Sequence, residues 1–221
     1  SGVAGPAASL IKVGTSVQNL TGASTYGGAT SVTGGTLALA GTAGAVANTA
    51  AVSVEGGAIL IVGDAAVANN NGVSNRINPS APLTLGGSTG GGTLTLYKPA
   101  AGSISQSLTS LAVEVGASTV QNSGSGGTAT LAFTGDGSTA YTRSSGGVVN
   151  FTSAMASFAN APTANTSAGT TGDTILVGAV LNNTTGLIAG LKKVPVINDT
   201  VYAAEPDGKG GWYIGGAFTM I

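Results

Sequence analysis

The sequence predicts an all-β protein built as a parallel β-helix (β-solenoid), with an irregular, aromatic-rich segment capping its C-terminal end. The first observation is that Gly-Gly pairs recur along the chain, each followed by a short run of β-forming residues. The pairs begin at Gly34, Gly56, Gly91, Gly126 and Gly146, so their spacings are 22, 35, 35 and 20 residues. Glycine reaches φ > 0 at no steric cost, so each pair can turn the chain and let the next strand stack on an equivalent strand.

Coil length follows from these spacings. One coil of about 20 residues, the lower end of solenoid repeats, explains the short steps, and a coil with a loop or a second turn explains the long ones. We expect Gly35 and Gly92 to lie in turns with φ > 0, where a bulky β-branched residue would destabilise the coil.

Composition is the second observation. Glycine accounts for 38 of 221 residues and charged residues for 7%, against about 7% and about 25% in ordinary globular proteins. Because 42% of the residues are hydrophobic and they cluster in runs, the chain should fold rather than remain disordered. Alanine is interleaved with Gly, Thr, Ser and Val, which favours strands over helices.

Several classes of function are excluded by missing residue types. The chain contains no Cys and no His, so it has no disulfide framework, no thiolate or imidazole metal ligand, and no Ser-His or Cys-His catalytic pair. The net charge is −1 and there is no basic face, so nucleic acid is not an expected partner. No apolar run is long enough for a membrane-spanning helix.

The carboxylates do not form an active-site pattern in the sequence. Enzymes that cleave polysaccharides on this fold need two or three carboxylates on adjacent coils, and the acids here are well separated until the C-terminal end. Glu114 should face solvent if Val113 and Val115 point inward. Asp199, Glu205 and Asp207 lack the spacing of a Ca²⁺ loop. We therefore expect no catalytic, cofactor-binding or metal-binding residues, and no enzyme activity.

Three regions are predicted. Residues 1–20 form an N-terminal strand or cap, residues 21–153 the solenoid repeats, and residues 154–221 a C-terminal cap or assembly segment. Strands are predicted within the repeats near residues 30–33, 36–40, 51–54, 58–62, 82–85, 93–97, 111–115, 128–133 and 147–152. Four further segments are predicted as a projecting loop, a short helix or irregular plug, a buried strand and a hairpin, at residues 65–82, 154–159, 174–181 and 201–216 respectively.

Residues 21–39 carry a resemblance to a known repeat. They read Thr-Gly-Ala-Ser-Thr-Tyr-Gly-Gly-Ala-Thr-Ser-Val-Thr-Gly-Gly-Thr-Leu-Ala-Leu. This is similar to the autotransporter-associated β-strand repeat, whose usual form is a Gly and a Thr-Tyr pair, then Gly-Gly-Thr, then Gly-Gly-Thr-Leu. Gly27-Gly28-Ala29-Thr30 departs from that form by one position, and later Gly-Gly coils resemble degenerate copies as far as residue 153. The resemblance implies a parallel β-helix displayed outside a bacterium, and no catalytic residues.

These observations predict a secreted structural or adhesive element of a bacterial surface that associates with itself into a fibre, and surface polysaccharide is a further candidate partner. The ends of a solenoid are open strand edges, and few charges guard them here. The predicted assembly residues are Leu10, Ile11, Val13, Ile175, Leu176, Val177, Trp212, Tyr213 and Phe218.

Two alternatives remain open. The first is a carbohydrate-binding or carbohydrate-cleaving passenger domain, which a row of exposed aromatics at Tyr26, Tyr97 and Tyr141 would favour. The second is a capping fragment of a longer stalk.

Overall fold

A computed structural model describes residues 8–63, 73–136, 139–153 and 155–158, together with five strand segments nearer the C-terminus. This part of the chain contains no α-helix, and therefore no helix that could cross a membrane. Its twenty strands are β1 Leu10–Lys12, β2 Val17–Leu20, β3 Thr30–Val32, β4 Thr36–Leu39, β5 Val52–Val54, β6 Ile59–Val62, β7 Leu83–Leu85, β8 Thr93–Tyr97, β9 Ser103–Leu108, β10 Leu111–Val113, β11 Gly116–Ser123, β12 Thr128–Phe133, β13 Tyr141–Arg143, β14 Gly147–Phe151, β15 Ala156–Phe158, β16 Thr166–Ala168, β17 Thr174–Leu176, β18 Ala179–Leu181, β19 Val201–Pro206 and β20 Trp212–Gly216.

Three sheets are wholly parallel. Sheet A has the order β1-β3-β5-β7-β10-β13, sheet B has the order β18-β14-β11-β8-β6-β4-β2, and sheet C has the order β15-β12-β9. Two small antiparallel pairs, β16–β17 and β19–β20, lie further along the chain. The protein is therefore all-β with parallel sheets, an arrangement compatible with the predicted β-helix.

Successive strands return to the same sheet at regular intervals. We define a layer as one strand of sheet A together with the strands that follow it along the chain, up to the next strand of sheet A. In sheet A, Leu10 pairs with Thr30, Thr30 with Val52, Val52 with Leu83, Leu83 with Leu111 and Leu111 with Tyr141. The steps are thus 20, 22, 31, 28 and 30 residues. The first two match the predicted coil of about 20 residues, and the later ones are longer.

The prediction treated the five glycine pairs as equivalent, but in the structure they are not. Four of them precede strands of sheet B, whereas Gly126-Gly127 precedes β12 in sheet C. Gly35 has the expected positive φ of 63°, and a Cβ there would collide with the Gly14 carbonyl. Gly92 does not lie in the left-handed region, so that expectation is wrong. It is needed because a Cβ there would collide with the backbone carbonyl of Val54 in the layer below.

The core lies between the sheets and is built by alternation along each strand. Leu37, Leu60 and Leu94 are in register on β4, β6 and β8, and Val120 and Phe151 continue the column. Each of these side chains is at most 1% exposed. Burying such side chains stabilises the fold by about 1.5–3 kcal/mol each, so stacked columns of this kind hold the layers together.

A third side of the stack passes through the segment that the sequence predicts as a projecting loop. That prediction is wrong for the described residues 73–82, because Arg76, Ile77 and Ala81 are buried. Ile77 forms a parallel bridge with Val46, and the nearby Asn75 N–H donates to the Ser105 carbonyl of β9 at 2.9 Å, which places this segment beside sheet C. The apolar Ile77 and Ala81 are too few for a strand pattern among the surrounding turn residues.

Two buried polar side chains hold this third side in place. The Gln106 amide accepts a hydrogen bond from the Ile77 N–H at 3.0 Å and donates one to the Ile77 carbonyl at 3.0 Å. The Arg76 guanidinium donates to the carbonyls of Gly44 at 2.7 Å and Gly41 at 2.6 Å. Because buried polar groups are costly unless they are hydrogen-bonded, these bonds fix how the segment packs.

The C-terminal part differs from its prediction in two places. Residues 156–158 form β15, which pairs in parallel with β12, instead of a short helix or plug. Phe158 stacks on Phe133 with ring centroids 4.9 Å apart, and this contact favours the extended conformation. The apolar run 174–181 contains two strands rather than one, since β17 pairs with β16 and β18 extends sheet B.

Candidate assembly surface

The first layer forms one edge of the described stack. β1 is the end strand of sheet A and β2 is the end strand of sheet B, and within the described residues neither strand has a partner on its outer side. Leu10 and Lys12 direct their backbone groups toward the second layer, through hydrogen bonds of 2.9 Å to Ala29 and Thr33. Because backbone groups alternate along a parallel strand, those of Ile11 face the open side, as do those of Val17 on β2.

Exposed apolar side chains are concentrated at the corner between β1 and β2. Ile11 and Val13 are 65% exposed and Val17 is 63% exposed, the three largest values among the large hydrophobic side chains of the described part. We call these three residues the apolar corner. Contiguous exposed apolar residues of this kind are typical of interaction sites.

The register shows that the apolar corner is particular to the first layer. Most of the residues in register with Ile11 in the later layers of sheet A carry a hydroxyl group. The same is true of the residues in register with Val17 in sheet B. These residues are Ser31, Ser53, Thr84, Ala112 and Thr142 in sheet A, and Thr36, Ile59, Thr93, Thr119 and Asn150 in sheet B. The exposed aliphatic side chains of Ile11 and Val17 are therefore not a general property of the outer faces.

A groove of about 440 Å³ opens at the same edge, between β1 and β2. Leu20 and Leu37 are buried at its base, and Leu10 lies at its side half-buried. These side chains begin the apolar core of the stack. The groove is thus the open end of the interior, bordered by the two unpaired strands.

Lys12 closes part of this open end. It is the only charged side chain in residues 1–54, and it is 8% exposed. Its ammonium group donates to the carbonyls of Val13 at 2.8 Å, Gly14 at 3.0 Å and Gly34 at 3.0 Å. All three N–H donors of the ammonium therefore have an acceptor, and the charge is not displayed on the outer faces. An inward-pointing charge is one of the devices that limit unregulated pairing at an edge strand.

The predicted assembly residues fall into two groups. Leu10, Ile11 and Val13 lie together at the first layer, and the sequence analysis missed Val17 beside them. The residues predicted nearer the C-terminus do not form one strand. Ile175 and Leu176 lie in β17, Trp212 and Tyr213 lie in β20, and Val177 and Phe218 lie outside the described residues.

The candidates for chemistry give no site in the described part. No three carboxylates come together there. Glu114 follows β10 half-buried and accepts a hydrogen bond from the Ser144 hydroxyl, while Val115 is 50% exposed rather than inward. Asp199 and Asp207, and the side chain of Glu205, lie outside the described residues.

The tyrosines do not form the exposed row that would favour carbohydrate binding. Tyr26 and Tyr141 are fully buried, and only Tyr97 is half-buried on an outer face. Burial raises the pKa of the Tyr26 hydroxyl, which hydrogen-bonds to Thr30 at 2.6 Å. Burial also raises the pKa of Tyr141 to about 12, against a smaller lowering by the nearby Arg143. These two rings are parts of the core.

Comparison with protein-family models, with curated proteins and with solved structures finds no match to this chain. The likeness of residues 21–39 to the autotransporter-associated repeat therefore stays a prediction.

Proposed function

We propose that the protein is a β-solenoid that serves as a structural or adhesive element and associates with itself through the edge strands of its first layer. The three parallel sheets support the solenoid. In sheet A, successive strands return in steps of 20 to 31 residues between Leu10 and Tyr141. A chain that repeatedly visits the same sheets builds one continuous core, and its ends are open edges.

One observation carries the assembly proposal. The first layer combines unpaired strands, the three most exposed large hydrophobic side chains and a single charge that is turned inward. Soluble monomers usually guard edge strands with outward charges, proline or a covering segment. A second protein chain that pairs with β1 and β2 would satisfy their backbone groups and bury the apolar corner.

Location is proposed from the sequence. A chain without cysteine, with very few charges and with a Gly- and Thr-rich coil pattern is similar to surface proteins secreted by bacteria. We place its site of action outside the cell, at the bacterial surface, with other copies of itself as the main partner and surface polysaccharide as a candidate adhesion target.

The carbohydrate-active alternative is not carried forward. A row of exposed aromatic rings would favour it, but Tyr26 and Tyr141 are buried in the core. Among the described residues, no three carboxylates come together either.

Sedimentation velocity over a range of concentrations, with electron microscopy of the same samples, tests the proposal on the full chain. Wild-type protein should form oligomers or filaments. Ile11→Lys and Val17→Lys should shift the distribution toward monomer, because each adds a charge at the edge. Val148→Lys, at a position 40% exposed in the sixth layer, is the control and should behave as wild type. Wild-type protein that stays monomeric at high concentration would refute the proposal.

A further inference from the structure

Sheet C ends at β9, and the segment that covers the outer edge of β9 is not a strand. Backbone groups alternate along a parallel strand, so those of Gln106 face β12, and those of Ser105 and Ser107 face the layer below. In that layer, the third, the edge of β9 meets residues 74–78, which we call the strap. The strap therefore stands where another strand of sheet C would lie.

Side chains of the strap replace backbone partners that a strand would supply. The Ser105 N–H donates to the Ser74 hydroxyl at 3.0 Å, and the Ser107 N–H donates to the side-chain carbonyl of Asn75 at 2.8 Å. A bond between backbone groups runs from the Asn75 N–H to the Ser105 carbonyl at 2.9 Å. The joint between the strap and β9 thus depends on side chains, whereas the strands of sheet C are joined by a continuous backbone ladder.

The inner side of the strap is attached in a similar way. Both backbone groups of Ile77 bond to the Gln106 amide at 3.0 Å. Toward the second layer, the Val46 N–H donates to the Arg76 carbonyl at 2.7 Å, and the Asn78 N–H donates to the Val46 carbonyl at 3.3 Å. Within the strap only Arg76 and Ile77 are buried, so it contributes one apolar side chain to the core.

Asn75 holds a strained backbone conformation in the strap. Its φ is 52°, and it is the only non-glycine residue with a positive φ in the part of the chain that the structure describes. This left-handed conformation is uncommon for residues other than glycine, although asparagine adopts it more readily than most. The contacts of the strap hold Asn75 in place, so opening of the strap relieves the strain.

We propose that the strap is a releasable cover of the β9 edge, which opens as one unit while sheets A and B stay folded. Segments with few buried apolar contacts open at a lower free energy than the core of the same protein. Opening frees the N–H groups of Ser105 and Ser107 and exposes a strand edge within the stack, to which an extended chain can pair by strand addition. The inference goes beyond the proposed self-association of the first layer and does not depend on it.

Hydrogen exchange of the full chain, read residue by residue by mass spectrometry with fragmentation, tests the opening. The amides of Ile77 and Val46 both bond across the contacts of the strap, so they should exchange with one common protection factor. That factor should be at least about 100-fold lower than for the ladder amides of β6 and β8. Equal protection of Ile77 and the β6 and β8 amides would overturn the proposal, because the strap would then open only when the whole fold unfolds.

A substitution on β9 tests whether the strap is a separate unit. Gln106→Met removes the amide that bonds Ile77, so it should speed exchange at Ile77 and Val46 by about tenfold or more and leave the β6 and β8 amides unchanged. Gln121→Met is the matched control, because Gln121 is a half-buried glutamine that bonds Thr95 on sheet B, and it should leave exchange in the strap unchanged. If Gln106→Met speeds exchange equally in the strap and in sheet B, the strap is not a separate unit and the proposal is wrong.

Discussion

Replacing Lys12 by methionine should weaken the fold and change the assembly at the same time. Methionine matches the apolar stem of lysine as far as Cε, but it removes the three N–H donors that hold the carbonyls of Val13, Gly14 and Gly34. The change therefore isolates the role of the ammonium group from the role of the stem.

The size of the stability change depends on which carbonyls water can reach. Val13 and Gly14 are exposed, so water replaces the lost donor there. The Gly34 carbonyl lies in the half-buried turn of the second layer, and leaving one such group unsatisfied costs about 1–3 kcal/mol. For a domain of this size, that loss corresponds to a fall in melting temperature of about 2–12 °C.

Urea unfolding followed by circular dichroism measures the first effect, with Lys98→Met as the matched control. Lys98 is half-buried, and its ammonium makes no hydrogen bond among the residues described, so its replacement should change the free energy of unfolding by at most about 0.5 kcal/mol. Equal stability of Lys12→Met and Lys98→Met would refute the argument from the carbonyls. On the assembly side, Lys12→Met removes the only charged side chain of the first layer, so sedimentation velocity should show stronger self-association.

Three further outcomes follow from the geometry. Gly35→Val and Gly92→Val should each destabilise the protein by about 2–4 kcal/mol in urea unfolding, the first through left-handed strain and collision and the second through collision alone, whereas Gly14→Asn should cost about 1 kcal/mol or less. The pKa of Tyr141 is raised to about 12, so the stability it contributes is fully present below pH 10 and is lost as the pH rises toward 12. Tyr141→Phe should therefore reduce the fall in melting temperature over this pH range. An unchanged fall in melting temperature would contradict this expectation. Deletion of residues 1–20 removes β1, β2 and the apolar corner, so the sedimentation coefficient should fall to that of smaller assemblies or monomers, and undiminished assembly would move the contact elsewhere.

The strands that the sequence predicts are those with an apolar alternation behind a glycine turn. Thr93-Leu94-Thr95-Leu96 forms β8 as expected, because its two leucines alternate with threonines and are both fully buried in the core. Ser103–Leu108 forms β9 without a comparable signal, because Gln106 occupies one of its three inward positions. A buried glutamine is favourable there because Ile77, 29 residues earlier, pairs with both ends of its amide, and the Ser107 carbonyl accepts a further hydrogen bond. A pattern search along the chain contains no information on such a distant pairing.

The assembly surface was predictable only in part for the same reason. Leu10 and Ile11 mark β1 through their β-propensity. The exposure of Val17 and the inward direction of Lys12 depend on the register between layers, which sets the face of every side chain in a strand. The sequence predicts few charges at the open edges, and Lys12 is the one that lies in β1. In the structure, the Lys12 ammonium group is hydrogen-bonded to backbone carbonyls. Its charge therefore lies at the open end of the core, and the apolar corner carries no charge.

The scarcity of charge gives each charged position a large influence on how copies meet. With charged residues making up 7% of the chain, long-range repulsion between copies is weak, and solubility alone does not select one orientation. Selection then depends on which side chains become neighbours when two edges meet. At the first layer, Lys12 turns its ammonium group onto backbone carbonyls, so an approaching chain meets the exposed side chains of the apolar corner rather than a charge. Lys12 thus limits pairing only through its place at the open end of the core, which is why its removal is expected to strengthen self-association while it weakens the fold.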